Sequence, residues 1–128
     1  MQNPIKVLVV DDSPTLCLLM TRALQNAGYH VITASNGNDG LLRLFQERPQ
    51  CVILDVVLPG MSGFGLCRQI RSLDPQRRVS IILVSTKNTP LDHSWGLRQG
   101  ADRYLAKPFT DETLVQTVEE VLQARSVR

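Results

Sequence analysis

Twice in this chain a run of apolar residues stops abruptly on aspartate. Ile5-Lys6-Val7-Leu8-Val9-Val10 runs into Asp11-Asp12, and Cys51-Val52-Ile53-Leu54 runs into Asp55. Nearly unbroken apolar runs fit strands covered on both faces, as in a parallel sheet; a half-solvated strand would alternate apolar with polar. A strand buried on both faces needs helices on either side of the sheet, so these two runs restrict the chain to an α/β layering.

The intervening segments supply the helices. Pro14 suits a first helical turn, and Leu16, Leu19, Met20, Ala23, Leu24 and Ala27 recur at helical spacing before Gly28 offers a stop. His30 to Ala34 reads as a short strand, and Leu41, Leu44 and Phe45 mark a second helix that must end before Pro49. After Asp55, a glycine- and proline-rich loop from Leu58 to Gly63 leads to a helix carrying Leu66, Ile70 and Leu73. Val79 to Val84 is a fourth strand closed by Ser85 and Thr86, followed by a short helix near Asp92 to Gln99 that stops at Gly100. Arg103 to Ala106 is a fifth strand, followed by Lys107-Pro108. Thr110 is placed to cap the last helix, with Asp111 and Glu112 in its first turn and Leu114, Val115, Val118, Val121 and Leu122 as its buried stripe. Five strands alternating with five helices predict right-handed crossovers and a doubly wound parallel sheet.

Composition narrows the function classes. A length of 128 residues suits about one domain, so residues 1–128 are expected to form a single unit with no output domain. Apolar residues at 43% exclude a disordered chain, and no window approaches the roughly 18 uninterrupted apolar residues of a membrane span. No export leader is visible, which predicts a cytoplasmic protein. A net charge of +2 is too even for a typical nucleic-acid binder, and Arg71, Arg77 and Arg78 read as a solvated loop rather than a binding patch. Cys17, Cys51 and Cys67 are odd in number with no C-x-x-C pair, so free buried thiols are expected.

In open α/β sheets ligands bind beyond the carboxyl ends of the strands. Here those ends carry Asp11 and Asp12, Asp55, Ser85 and Thr86, and Lys107. Converging carboxylates repel one another, and a hard divalent cation such as Mg2+ resolves that conflict with oxygen ligands shared with phosphate. Asp55 can then act as a nucleophile toward phosphorus, with the Lys107 ammonium and the Ser85 hydroxyl holding phosphoryl oxygens. Taken singly, each residue has a plainer use: Asp12 as a helix cap, Ser85-Thr86 as a capping pair, Lys107 as a loop lysine. Four loaded strand ends together favour chemistry.

Four blocks in order carry a resemblance to a known family. They are Val9-Val10-Asp11-Asp12-Ser13, Ile53 to Gly63, Val84-Ser85-Thr86 and Gly100 to Phe109. The chain resembles the receiver domains of bacterial response regulators, in particular the stand-alone CheY-like type, from about Lys6 to Leu122. The resemblance implies the flavodoxin-like strand order 2-1-3-4-5, for which the receiver fold is itself a standard illustration. It implies a phosphoryl group passing to Asp55 from a sensor histidine kinase of the CheA type. Magnesium would be held by Asp11, Asp12, Asp55 and the Val57 backbone carbonyl. Ser85 would be the switch hydroxyl with Thr86 beside it, Tyr104 the aromatic switch, Lys107 the phosphate partner, and the Lys107-Pro108 bond cis. Output would go to a downstream effector protein through the face of helix four, strand five and helix five, where Arg98, Arg103 and Tyr104 are candidates, from a monomer or weak dimer. The stretches Ser85-Thr86-Lys87 and Trp95 to Ala101 look most like regulators of twitching-motility and phototaxis chemosensory systems.

Three positions depart from the family's commonest pattern. Thr86 replaces a smaller alanine usual in the family, and Val57 and Lys87 flank the site where other receivers often carry polar or acidic residues; the larger Thr86 and the apolar Val57 predict slow loss of the phosphoryl group. By packing alone, Tyr104 reads as a half-buried edge aromatic, and Trp95 reads equally as partial core or surface. An unphosphorylated scaffold and a haloacid-dehalogenase-type phosphatase are the alternatives; the second needs Asp-x-Asp after strand one, where this chain has Asp11-Asp12-Ser13. No enzymatic activity is expected.

Overall fold

The computed structural model describes residues 3–126. The main strands are β1 (Lys6–Val10), β2 (His30–Ala34), β3 (Cys51–Asp55), β6 (Ser80–Ser85) and β7 (Arg103–Ala106). They form one parallel sheet in the order β2-β1-β3-β6-β7. Setting aside a two-residue hairpin, β4 (Val57–Leu58) with β5 (Met61–Ser62), this is the expected 2-1-3-4-5 order. The helices are α1 (Pro14–Asn26), α2 (Gly37–Glu47), α3 (Gly63–Leu73), α4 (Pro90–Arg98) and α5 (Asp111–Ser126).

The central strands explain the apolar runs. Every residue of β3 and β6 is buried, whereas the edge strands β2 and β7 are mostly half-exposed. Strand side chains alternate between faces, so Val7 and Val9 join Leu24, Ile53, Ile82 and Val118 on one side. Leu8 and Val10 join Leu54, Leu66, Ile70 and Leu83 on the other. Leu114, Val118 and Val121 bury the stripe expected for α5, with Val115 and Leu122 packed alongside.

The structure corrects several local expectations. The fourth strand is shifted by one residue, to Ser80–Ser85, because Asp102 accepts from the Ile81 amide and β7 pairs as far as Ser85. Leu58 to Gly63 is not plain loop, since the chain reverses at Pro59-Gly60 and pairs Val57 with Ser62. The short helix starts earlier, at Pro90, where Thr89 and Asp92 close a reciprocal capping box. Leu19, Ala27, Phe45 and Leu73 are exposed: helical spacing fixes the side of a helix but not how far its neighbours cover it. Cys51 and Cys67 are buried free thiols, with burial pushing Cys51 up to about 12 and Cys67 up to about 11, so both stay protonated. Cys17 is only partly buried. Arg71 is not solvated loop charge: its side chain is only 11% exposed and its guanidinium lies 2.7 Å from Asp102. Trp95 is 47% exposed on α4, so it belongs to the surface.

Candidate phosphoryl-acceptor site

Strand register assembles the site. Val10 of β1 lies beside Leu54 of β3, Asp55 beside Val84 of β6, and Ser85 beside Ala106 of β7. Parallel strands in this register end together, so Asp11, Asp55, Ser85 and Lys107 all emerge at one edge. The Lys107 amide donates to the Ser85 carbonyl at 2.8 Å, and the peptide bond that follows, Lys107-Pro108, is cis.

Local hydrogen bonds hold each carboxylate. Asp11 is buried; its Oδ1 accepts from the Ser13 amide at 2.9 Å, while the Ser13 hydroxyl caps α1 by accepting from Leu16. Ser13, rather than Asp12, therefore caps the helix, and Asp12 is left exposed. Asp55 Oδ1 accepts from the Val57 amide at 3.2 Å. The Lys107 ammonium lies between the two carboxylates, with Nζ 3.1 Å from Asp55 Oδ2 and 3.2 Å from Asp11 Oδ2. One oxygen each from Asp11, Asp12 and Asp55 fall within 4.8 Å of one another. Three carboxylates offering oxygen at that separation, two of them buried, fit a hard divalent cation, since the one ammonium paired with them among the described residues, Lys107, balances only one of the three charges. A cleft of about 640 Å3, lined in part by Asp11, Asp12, Cys17, Asp39 and Arg43, opens beside them.

The electrostatics have a definite sign. Burial raises the Asp55 carboxyl above the ordinary aspartate value, a tendency that Asp11 reinforces and the Val57 amide and Lys107 only partly oppose. Burial would lower Lys107, but the hydrogen bond to Asp55 and the charges of Asp11 and Asp55 outweigh it and raise the ammonium. A raised lysine contributes stability that is present at neutral pH and lost only as pH climbs through its folded pKa, above the ordinary 10.5. For Asp55 a raised folded pKa means that ionisation itself opposes folding at neutral pH.

The remaining expected residues lie around this core. Ser85 is buried, and its hydroxyl accepts from the Lys87 amide at 3.0 Å. Thr86 is exposed, as is the Val57 side chain at 57%. Tyr104 is half-buried; its hydroxyl donates to the Lys87 carbonyl at 2.6 Å, and its ring centroid is 4.3 Å from that of His93. Burial raises the Tyr104 phenol, with the Ser85 hydroxyl acting in the opposite direction. Gly96 makes this seat possible, because a Cβ there would come within 2.8 Å of the Tyr104 ring.

Gly63 escaped the motif-based reading, though it closes the quoted Ile53–Gly63 block. It begins α3 and its amide donates to the Val56 carbonyl at 2.7 Å. A Cβ at this position would overlap the Asp55 carbonyl oxygen and sit 2.7 Å from Val56 Cα, both backbone atoms that cannot swing aside. Gly63→Ala is expected to cost roughly 2–3 kcal/mol by overpacking. Urea denaturation would read this, and an unchanged midpoint would show that α3 can retreat freely.

Fold and site together define a receiver. Residues 7–119 match the response regulator receiver domain family, and the chain belongs to it. It is 42% identical over 117 residues to Protein PilH of Pseudomonas aeruginosa, covering 91% of this chain and 97% of that protein. It is 34% identical to the alkaline phosphatase synthesis transcriptional regulatory protein PhoP of Bacillus subtilis, of which it spans 50%. Among solved structures, chemotaxis response regulator CheY4 of Vibrio cholerae superimposes with a TM-score of 0.87 at 34% identity, covering 93% of this chain and 99% of that one. The chain is accordingly a receiver, a domain type of signalling proteins rather than of enzymes. Among the described residues no helix is long and apolar enough to cross a membrane.

Proposed function

We propose that Asp55 is the phosphoryl acceptor, that Asp11, Asp12, Asp55 and the Val57 carbonyl hold Mg2+, and that Ser85, Thr86, Lys107 and Tyr104 convert the added charge into a change of surface. The observation that carries this is the convergence of three carboxylates within 4.8 Å beside a single ammonium shared by Asp11 and Asp55.

An Asp55 oxygen attacks phosphorus in line with the bond to a histidine nitrogen of the donor; that P–N bond breaks and its electron pair returns to the imidazole. Bound Mg2+ supplies charge neutralisation for the phosphoryl oxygens. Lys107 remains to pair with the new dianion, and the Ser85 hydroxyl, now spent on the Lys87 amide, can turn to donate to a phosphoryl oxygen. That turn releases the loop whose Lys87 carbonyl holds Tyr104, so the ring can follow. A phosphoryl group biases such a pair of states only through contacts made in one of them.

Output then falls on the face of α4, β7 and α5. Leu91 at 78% and Trp95 at 47% exposure, one turn apart, give α4 an apolar surface that a downstream effector can cover. A CheA-type kinase as donor, a motility-linked chemosensory pathway and a cytoplasmic receiver, monomeric or weakly dimeric, complete the reading; the similarity to PilH and to chemotaxis response regulator CheY4 supports the pathway.

Incubation with acetyl phosphate and Mg2+, followed by intact mass, is expected to show one added phosphoryl group that chelation prevents. No adduct would favour a scaffold that is never phosphorylated. Once donor is removed, decay of the adduct is expected to be slower than in a chemotaxis-type receiver, because the apolar Val57 cannot orient a water and Thr86 crowds its approach. Equally fast decay would remove that role from both residues.

A further inference from the structure

We propose that the cleft at the opposite end of the sheet from Asp55 is a docking site for an acidic segment of a partner protein, one that presents an apolar anchor flanked by carboxylates. The cleft measures about 470 Å3 and lies between the end of α2, the end of α3 and the end of α5. Leu44, Phe45 and Leu73 form its apolar part, and Arg48, Arg78 and Arg125 its basic part.

The charge there is uncompensated. Asp74, the acid of the cleft, is already engaged: it accepts from the Arg78 and Val79 amides at 3.0 and 2.9 Å and lies 3.6 Å from Arg71. Glu47 nearby is paired with Lys6 at 3.2 Å. Among the described residues none of the three cleft arginines takes part in an ion pair, and the Arg125 Nε is buried with no hydrogen-bond partner. A buried donor left unmatched calls for an acceptor that the folded chain itself does not provide.

Arg48, the left-handed residue that ends α2 at φ 49°, is exposed and lines this cleft. Arginine also dominates the basic residues: lysine occurs only at 6, 87 and 107 among 14. A guanidinium fork binds carboxylate in a bidentate way that an ammonium cannot.

The apolar half selects the occupant. Phe45 and Leu73 are 61% and 54% exposed on two different helices, facing one slot. A free polyphosphate would leave both in water. A peptide that inserts an aliphatic or aromatic side chain and sets carboxylates against the arginines satisfies both halves at once.

Panning a displayed library of random peptides of about 12 residues against the whole protein tests this. Enriched sequences are expected to carry an apolar residue flanked by Asp or Glu. A synthetic peptide of the selected sequence should shift the amide signals of Phe45, Leu73 and Val79 in NMR spectra. Its affinity should fall by about tenfold or more in an Arg48→Glu, Arg78→Glu double variant, and fall with salt. That variant should keep its fold by circular dichroism and its labelling at Asp55, which lies at the other end of the strands. Absence of acidic enrichment, or binding that survives the charge reversal, would overturn the proposal. So would two other occupants: inorganic polyphosphate giving the same shifts, or self-association in sedimentation that the double variant abolishes.

Discussion

In the Asp55→Asn variant the phosphoryl adduct is expected to disappear entirely, while stability in metal-free buffer rises by a few degrees of melting temperature. Both outcomes have one cause. The carboxylate that attacks phosphorus is buried beside Asp11, and burial keeps its pKa above the usual 3.8 even with Lys107 attached. Folding therefore works against the ionised form at neutral pH. The sign follows from linkage: well below pH 3.8 both folded and unfolded Asp55 are protonated and the penalty is absent; it builds as pH rises above 3.8 and is full once pH has passed the folded pKa. Asparagine keeps the shape without the charge, so its advantage should be full at pH 7 and vanish in acid. Added Mg2+ should narrow the gap by stabilising the parent more than the variant. Calorimetry across pH, with intact mass after acetyl phosphate treatment, measures both halves. An adduct that survives in Asp55→Asn would move the nucleophile elsewhere, and a variant less stable than the parent would mean that Lys107 already balances the site.

The second large effect lies away from the site. Arg71→Ala is expected to lose about 3 kcal/mol, lowering the melting temperature by about 10 °C. From α3, the Arg71 guanidinium donates to the Gly100 carbonyl at 2.7 Å, to the Val79 carbonyl at 2.6 Å and to Asp102 at 2.7 Å. Asp102 in turn accepts from the Ile81 amide at 2.8 Å, at the start of β6. One side chain thus fastens α3 to the connection between α4 and β7 and to the base of the central sheet. Truncation takes a donor from the carbonyl of buried Val79, leaves the Gly100 carbonyl only Arg77 at 3.3 Å, and takes from Asp102 the guanidinium 2.7 Å away; Arg77, at 3.5 Å from Asp102, is the more exposed cation that remains. Arg71→Lys should recover little, because an ammonium cannot serve three acceptors that diverge in a plane. A lysine variant as stable as the parent would show that charge alone matters here.

Arg71 also marks where sequence reasoning reached its limit. Beside Arg77 and Arg78 it looked like loop charge, because its partners at 79, 100 and 102 come close only after α3 and β7 have packed on β6. Gly63 shows the same limit. It sits in plain view after Met61-Ser62, but the need for a missing Cβ comes from the carbonyl of Asp55 across a turn. The cleft arginines come from three separate stretches of chain and meet only at the floor of the sheet. By contrast Asp11, Asp12, Asp55, Ser85 and Lys107 were legible in advance, since each follows directly on a strand and parallel strands bring their ends together.

The sequence by itself determined the layering, the strand order through its family resemblance, and the edge at which carboxylates, hydroxyl and lysine gather. Apolar periodicity and strand direction are local properties, written in consecutive residues. Tertiary structure alone decided that Ser13 rather than Asp12 caps α1, that Tyr104 rests on the Lys87 carbonyl under Gly96, that Arg71 is a buried tie, and that an unpaired basic cleft opens opposite the phosphoryl site. Those depend on distances between residues far apart in the chain, which are settled only when helices pack on the sheet.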